Sequence, residues 1–124
     1  MKNTMQVINV ASTLFAEVKL NWLTAEQGGR KRPISMVDYG ATAYFEDGDR
    51  RLFSIILHFL TKLEGGVKTP TQIDHATMEF LSPELVAESL AEGIEFCVTE
   101  GVKVVAKGEI LSVQISYSQK NVRN

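Results

Sequence analysis

In FAEVKLNWL, residues 15–23, apolar and polar positions alternate. Val18, Leu20 and Trp22 fall on one face, and Glu17, Lys19 and Asn21 on the other. A period of two predicts a half-buried β-strand. AEQGGR follows as a turn, in which Gly28 and Gly29 can take positive φ at no steric cost. TAYF and RLFSIILHFL predict further strands. The second is apolar on both faces, as in a strand covered by a neighbour or closed into a barrel. Between them, EDGDRR (46–51) carries a hairpin signal. The Glu64–Gly66 stretch and Pro70 mark a loop, after which IDHATMEFL resumes the strand pattern.

The period then changes. In SPELVAESLAEG, Ser82 stands as N-cap, Pro83 at the first helical position, Glu84 in the first turn and Gly93 just past the end. Leu85, Val86 and Leu90 have helical spacing, so one short helix is expected near 83–91. GIEFCV and VKVVAKGEILSVQIS return to alternation around a TEG turn. Three glycines there suggest three backbone tasks. Gly93 stops the helix, Gly101 reverses the chain, and Gly108 marks a bulge or bend within a strand. About six strands with one short helix describe an all-β chain forming a small closed β-barrel. Its core is expected over about 11–117, with flexible termini.

Composition narrows the class. A chain of 124 residues is a single domain, 1–124, large enough to bury one core without staples. With 44% hydrophobic and 23% charged residues it resembles neither a disordered nor a membrane-spanning chain. TMQVINVASTLFA is the stretch nearest to a signal peptide, but Gln6 and Asn9 interrupt it and only Lys2 precedes it, so secretion is not expected. A lone cysteine, Cys97, excludes an internal disulfide and fits a cytoplasmic location. The net charge of -2 argues against a dedicated nucleic-acid binder, which gains affinity by releasing counterions. RNA binding would need a local patch, such as Arg30–Arg32, Arg50 with Arg51, or Lys103 with Lys107.

GIEFCVTEGVKVVAKGEI resembles the closing hairpin of the C-terminal β-barrel of elongation factor Tu and related translational GTPases. That family shows G-x-x-F-x-x-x-E-G followed by V-x-x-G; here Gly93, Phe96, Glu100, Gly101, Val105 and Gly108 fill those places, with the valine one position late. Upstream, FAEVKLNWLTAEQGGRKRP is similar to the family's first barrel strand and its E-G-G-R turn, with Gln27, Gly28, Gly29, Arg30 and Pro33 in the matching places. The interval from Pro70 to Ser82 and Pro83 equals the family's spacing between two prolines that bracket a strand. The likeness covers 14–113 in patches.

The resemblance implies a barrel standing alone, since nothing matches the G-x-x-x-x-G-K-[ST] phosphate loop of the GTPase domain. It also implies contacts through two turns, Gly28, Gly29 and Arg30 with the adjacent Lys31, and Glu100 with Gly101. In the family these turns approach transfer RNA. Three departures weaken that inheritance. Val102 stands where the family has a second glycine, and Glu95 and Thr99 stand where it often has arginine. The helix at 83–91 is an insertion and reads as a remodelled surface.

Catalytic chemistry finds little support. His58 and His75 lie on different strands, and Asp74, beside His75, points to the opposite face. Cys97 has no neighbouring cation in sequence to activate it, and Ser54, Ser82 and Ser112 lack a nucleophile elbow. Trp22, Phe15, Tyr39, Tyr44 and Phe45 could stack on bases, but their placement beside Val and Leu favours the core. The sequence thus points to a non-catalytic binding module with no catalytic, cofactor or metal site. A protein partner comes first, with the translation machinery a candidate. Transfer- or ribosomal-RNA binding through the two turns comes second, and a small ligand-binding or hydrolytic barrel third. Homo-oligomers through edge strands remain open, and no membrane partner is expected.

Overall fold

The computed structural model describes residues 5–31, 38–59 and 73–123. Arg32, Pro33, Glu64–Gly66 and Pro70, all named above, lie outside these. Among the described residues, six antiparallel strands close into a barrel in the order β1-β4-β3-β2-β5-β6. They are β1 (Met5–Trp22), β2 (Asp38–Phe45), β3 (Phe53–Phe59), β4 (Ile73–Phe80), β5 (Glu95–Glu100) and β6 (Lys103–Arg123). Closure comes from β1, which pairs with β4 on one side and β6 on the other.

The alternation seen in the sequence decides which side chains turn inward. Leu14, Ala16, Val18, Leu20 and Trp22 of β1 are buried, facing Ile55, Leu57, Met78 and Phe96 across the interior. A small barrel is filled by such side chains rather than left as a pore. Each fully buried large residue contributes about 1.5–3 kcal/mol through removal from water.

Gly101 reverses the chain as expected, at a positive φ of 61°. Gly93 also has positive φ, 86°, but it lies in a separate turn beyond Leu90, where the backbone is already extended, so it does not stop the helix. Gly108 does not mark a bulge. It sits opposite Phe96 on β5 and Leu20 on β1 in regular pairing. A Cβ there would lie 2.4 Å from Phe96 Cζ and 2.9 Å from the Lys19 carbonyl oxygen. The missing side chain makes room for a ring in the core. The bulges fall elsewhere, at the register shifts Ala11/Thr13, Glu17/Val18 and Val98/Thr99. The last leaves the consecutive residues Val105 and Ala106 both buried.

The helical segment is shorter than 83–91. An α-helix, α1 (Pro83–Val86), gives way to a 3-10 turn over Ala87–Ser89. Pro83 occupies the first turn as expected, whereas the Ser82 side chain makes no capping bond. With one turn between two barrel strands, Pro83 and Val86 are buried and Glu84 and Leu85 stay outside. At the other extreme, β1 and β6 run well past the expected core of 11–117. Met5 pairs with Arg123, and the two strands continue together as a two-stranded ribbon.

Candidate functional site: two ends of the barrel

The two turns singled out by sequence meet in space. Arg30 forms an ion pair with Glu100, and the Tyr39 hydroxyl donates to the same carboxylate oxygen. The Arg30 guanidinium also lies over the Tyr39 ring, 5.6 Å from its centroid. Tyr39 in turn meets Trp22 edge-on at 5.6 Å. Burial, then the hydrogen bond to Glu100, pushes the Tyr39 hydroxyl well above its ordinary range, so it remains a donor.

The 24–29 turn is held by its own bonds. The Thr24 amide donates to Gln27 Oε1 (2.9 Å), and the Gln27 amide donates back to Thr24 Oγ1 (3.1 Å). The amides of Gly28 and Gly29 donate to the carbonyls of Ala25 and Thr24. Gly28 has the expected positive φ (92°), but Gly29 does not; Gly29 is instead buried so close to Leu23 that a Cβ would clash with the Leu23 carbonyl oxygen. These amides are spent inside the turn, and the Arg30 charge is compensated by Glu100. Lys31 and Gly101 are exposed, as is Val102. Thr99 is buried, and its hydroxyl shares a 2.6 Å hydrogen bond with that of Thr42 on β2.

The opposite end of the barrel holds a groove that periodicity does not reveal. Tyr39 and Phe45 lie at opposite ends of β2, and Ile94 and Glu100 flank opposite ends of β5. A cavity of about 460 Å³ therefore opens at the far end, between the 46–52 loop and α1. Its apolar lining includes Phe45, Phe53, Val86 and Ile94. Phe45 and Phe53 meet with their rings tilted by 40° and centroids 4.8 Å apart, and Phe53 continues to Phe80 at 5.6 Å. Leu85 (60% exposed) and Leu52 (53%) stand on the rim.

The rim also carries Asp47, Asp49, Arg50 and Arg51. Asp49 binds Arg51 twice, accepting from its backbone amide at 3.0 Å and its guanidinium at 3.4 Å. Arg50 adopts left-handed backbone at φ 57° and lies 5.6 Å from the Tyr44 ring centroid. Such backbone costs a non-glycine residue about 1 kcal/mol or more, partly offset by the cation–π contact. EDGDRR does form the predicted reversal between β2 and β3, and its residues build one wall of the groove.

Outside the barrel, His58 joins three strands. Its Nδ1 lies 2.9 Å from Asp38 Oδ1 on β2 and its Nε2 2.8 Å from Glu79 Oε1 on β4. The hydrogen bond to Glu79 leads in raising its pKa; burial opposes, and Asp38 adds. This arrangement suits an imidazolium donating from both nitrogens. His75 is exposed, and the described residues contain no group of three or more His, Cys, Asp or Glu placed to hold a metal. Cys97 donates to Glu46 Oε1 at 3.4 Å; burial first raises its pKa, keeping the thiol protonated. A protonated thiol is a poor nucleophile.

Among the described residues no helix is long and apolar enough to cross a membrane. In comparisons with known proteins, the chain matches no protein-family model and no curated protein.

Proposed function

We propose that this protein is a non-catalytic binding module, resembling a translation-factor barrel, that holds a segment of a partner protein in the groove between the 46–52 loop and α1. The observation carrying this reading is the pair Leu52 and Leu85, exposed beside an apolar cavity floored by Phe45, Phe53 and Val86. Exposed apolar surface around a concavity marks an interaction site. Charges of both signs on the rim suit a peptide that places one apolar side chain inside and polar groups outside.

RNA binding through the Gly28–Lys31 and Glu100–Gly101 turns ranks second. Phosphate would have to compete with Glu100 for Arg30, and the amides of Gly28 and Gly29 already have acceptors. The translation machinery stands as a candidate source of the partner through the resemblance alone.

Affinity capture with wild type and Leu85→Glu, each with and without ribonuclease, tests the reading. The expected result is a protein retained by wild type despite ribonuclease and lost with Leu85→Glu. Retention unchanged by the substitution would overturn it.

A further inference from the structure

Beyond the barrel, β1 has a strand neighbour on one side only among the described residues. Among the described residues it pairs with β4 over Phe15–Asn21 alone, while its pairing with β6 extends back to Met5. The outer edge of residues 5–13 therefore spans about 30 Å of backbone with alternate N–H and C=O groups turned to solvent. α1 packs against β1, but with four residues it covers only about 6 Å.

Free edges are ordinarily blunted by charge, proline, short length or a covering element. Residues 5–11, Met-Gln-Val-Ile-Asn-Val-Ala, carry no charge and no proline, and the bulge at Ala11/Thr13 lies at their inner end. Val7 (58% exposed) and Ile8 (41%) remain in solvent. The other strand of the ribbon differs where it faces residues 5–8: β6 is uncharged over 111–119 but carries Lys120, opposite Ile8, and Arg123, opposite Met5. Among the described residues, the β1 edge of the ribbon is thus without charge along 5–13, whereas the β6 edge has two cations towards its outer end.

We propose that the uncharged β1 edge pairs with the same edge of a second copy of the chain, antiparallel about a twofold axis at Asn9. The sequence is self-complementary in that register. Asn9 opposes Asn9, Ile8 opposes Val10, and Val7 opposes Ala11, all neutral and each apolar pair on one face. Cross-strand pairs of this kind stabilise a sheet, and like charges opposite one another would oppose it. The product is a continuous four-stranded sheet, β6-β1-β1-β6, with Lys120 and Arg123 on each outer strand. The contact is isologous and closes at two copies. It is independent of the groove reading, which stands or falls on a different surface.

Sedimentation of the full chain from about 1 to 500 µM tests the pairing. Wild type is expected to dimerise in that range, because a strand pair alone is smaller than a standard interface of about 1,600 Å². Asn9→Lys places two cations opposite each other and is expected to weaken association at least tenfold. Gln119→Lys, on the strand beside Asn9, puts its two copies about 14 Å apart, beyond the screening length at physiological salt, and is expected to leave the dimer intact.

Asn9→Cys gives a second readout. Directly opposed residues have Cα atoms about 4.5–5.5 Å apart, within disulfide reach, so mild oxidation should link two chains. Gln119→Cys should not link them. A monomeric wild type at 500 µM, or a dimer indifferent to Asn9→Lys, would overturn the proposal.

Discussion

Arg30 and Glu100 stand 70 positions apart in sequence and form one ion pair, with the Tyr39 hydroxyl donating to the same oxygen. The pair fastens the Gly-Gly-Arg turn to the Glu-Gly turn at one end of the barrel. Both side chains retain partial solvent access, so screening keeps the coupling below about 1 kcal/mol. A double-mutant cycle with Arg30→Ala and Glu100→Ala, read by urea unfolding, should give a non-additive term of that size. Strict additivity would mean that the two groups do not interact in solution.

His58 makes stability depend on pH. Its folded pKa is raised, led by the hydrogen bond to Glu79 with a further contribution from Asp38. The stabilisation is fully present below the unfolded value of about 6.5 and is lost as pH rises through the higher folded value. Unfolding free energy from His58 should therefore fall as pH rises across that window. His58→Gln should flatten the slope there, which urea melts at a series of pH values would register.

Gly108→Ala should destabilise the barrel by about 1–3 kcal/mol, because the added methyl meets the Phe96 ring and a backbone carbonyl. Combining it with Phe96→Leu frees the space beside the ring. The double variant should be more stable than the sum of the two single losses predicts. Thermal melts of the four proteins decide this.

These residues also show what a sequence can and cannot disclose. Alternation from Ala16 to Trp22 discloses the inward face of β1, since period two has one meaning wherever a strand has a wet side and a dry side. Gly101 and the 46–51 reversal are local turn chemistry and equally readable. The ribbon is not, because both of its faces are wet and residues 5–13 mix Val and Ile with Gln and Asn. The contact of Gly108 with Phe96 looks like a bulge in sequence, since a glycine inside a strand serves either purpose. His58 with Asp38 and Glu79, and Arg30 with Glu100, depend on register between strands distant in the chain. The groove comes from a loop and a single helical turn closing over Phe53, which no periodicity reports.

Groove residues should divide by burial. Leu85→Glu exchanges a mostly exposed side chain and should change stability by no more than about 0.5 kcal/mol. Val86→Ala removes buried methyl groups and should cost about 1–3 kcal/mol. Chemical unfolding of both variants separates an exposed, partner-facing leucine from a structural valine.

The most direct measurement is photo-crosslinking in cells with a reactive residue placed at Leu85 in one protein and at Lys31 in another. A partner-binding groove predicts a discrete polypeptide adduct at Leu85, absent at Lys31 and unaffected by ribonuclease. An RNA adduct at Lys31, with nothing captured at Leu85, would contradict the account and move the function to the opposite end of the barrel.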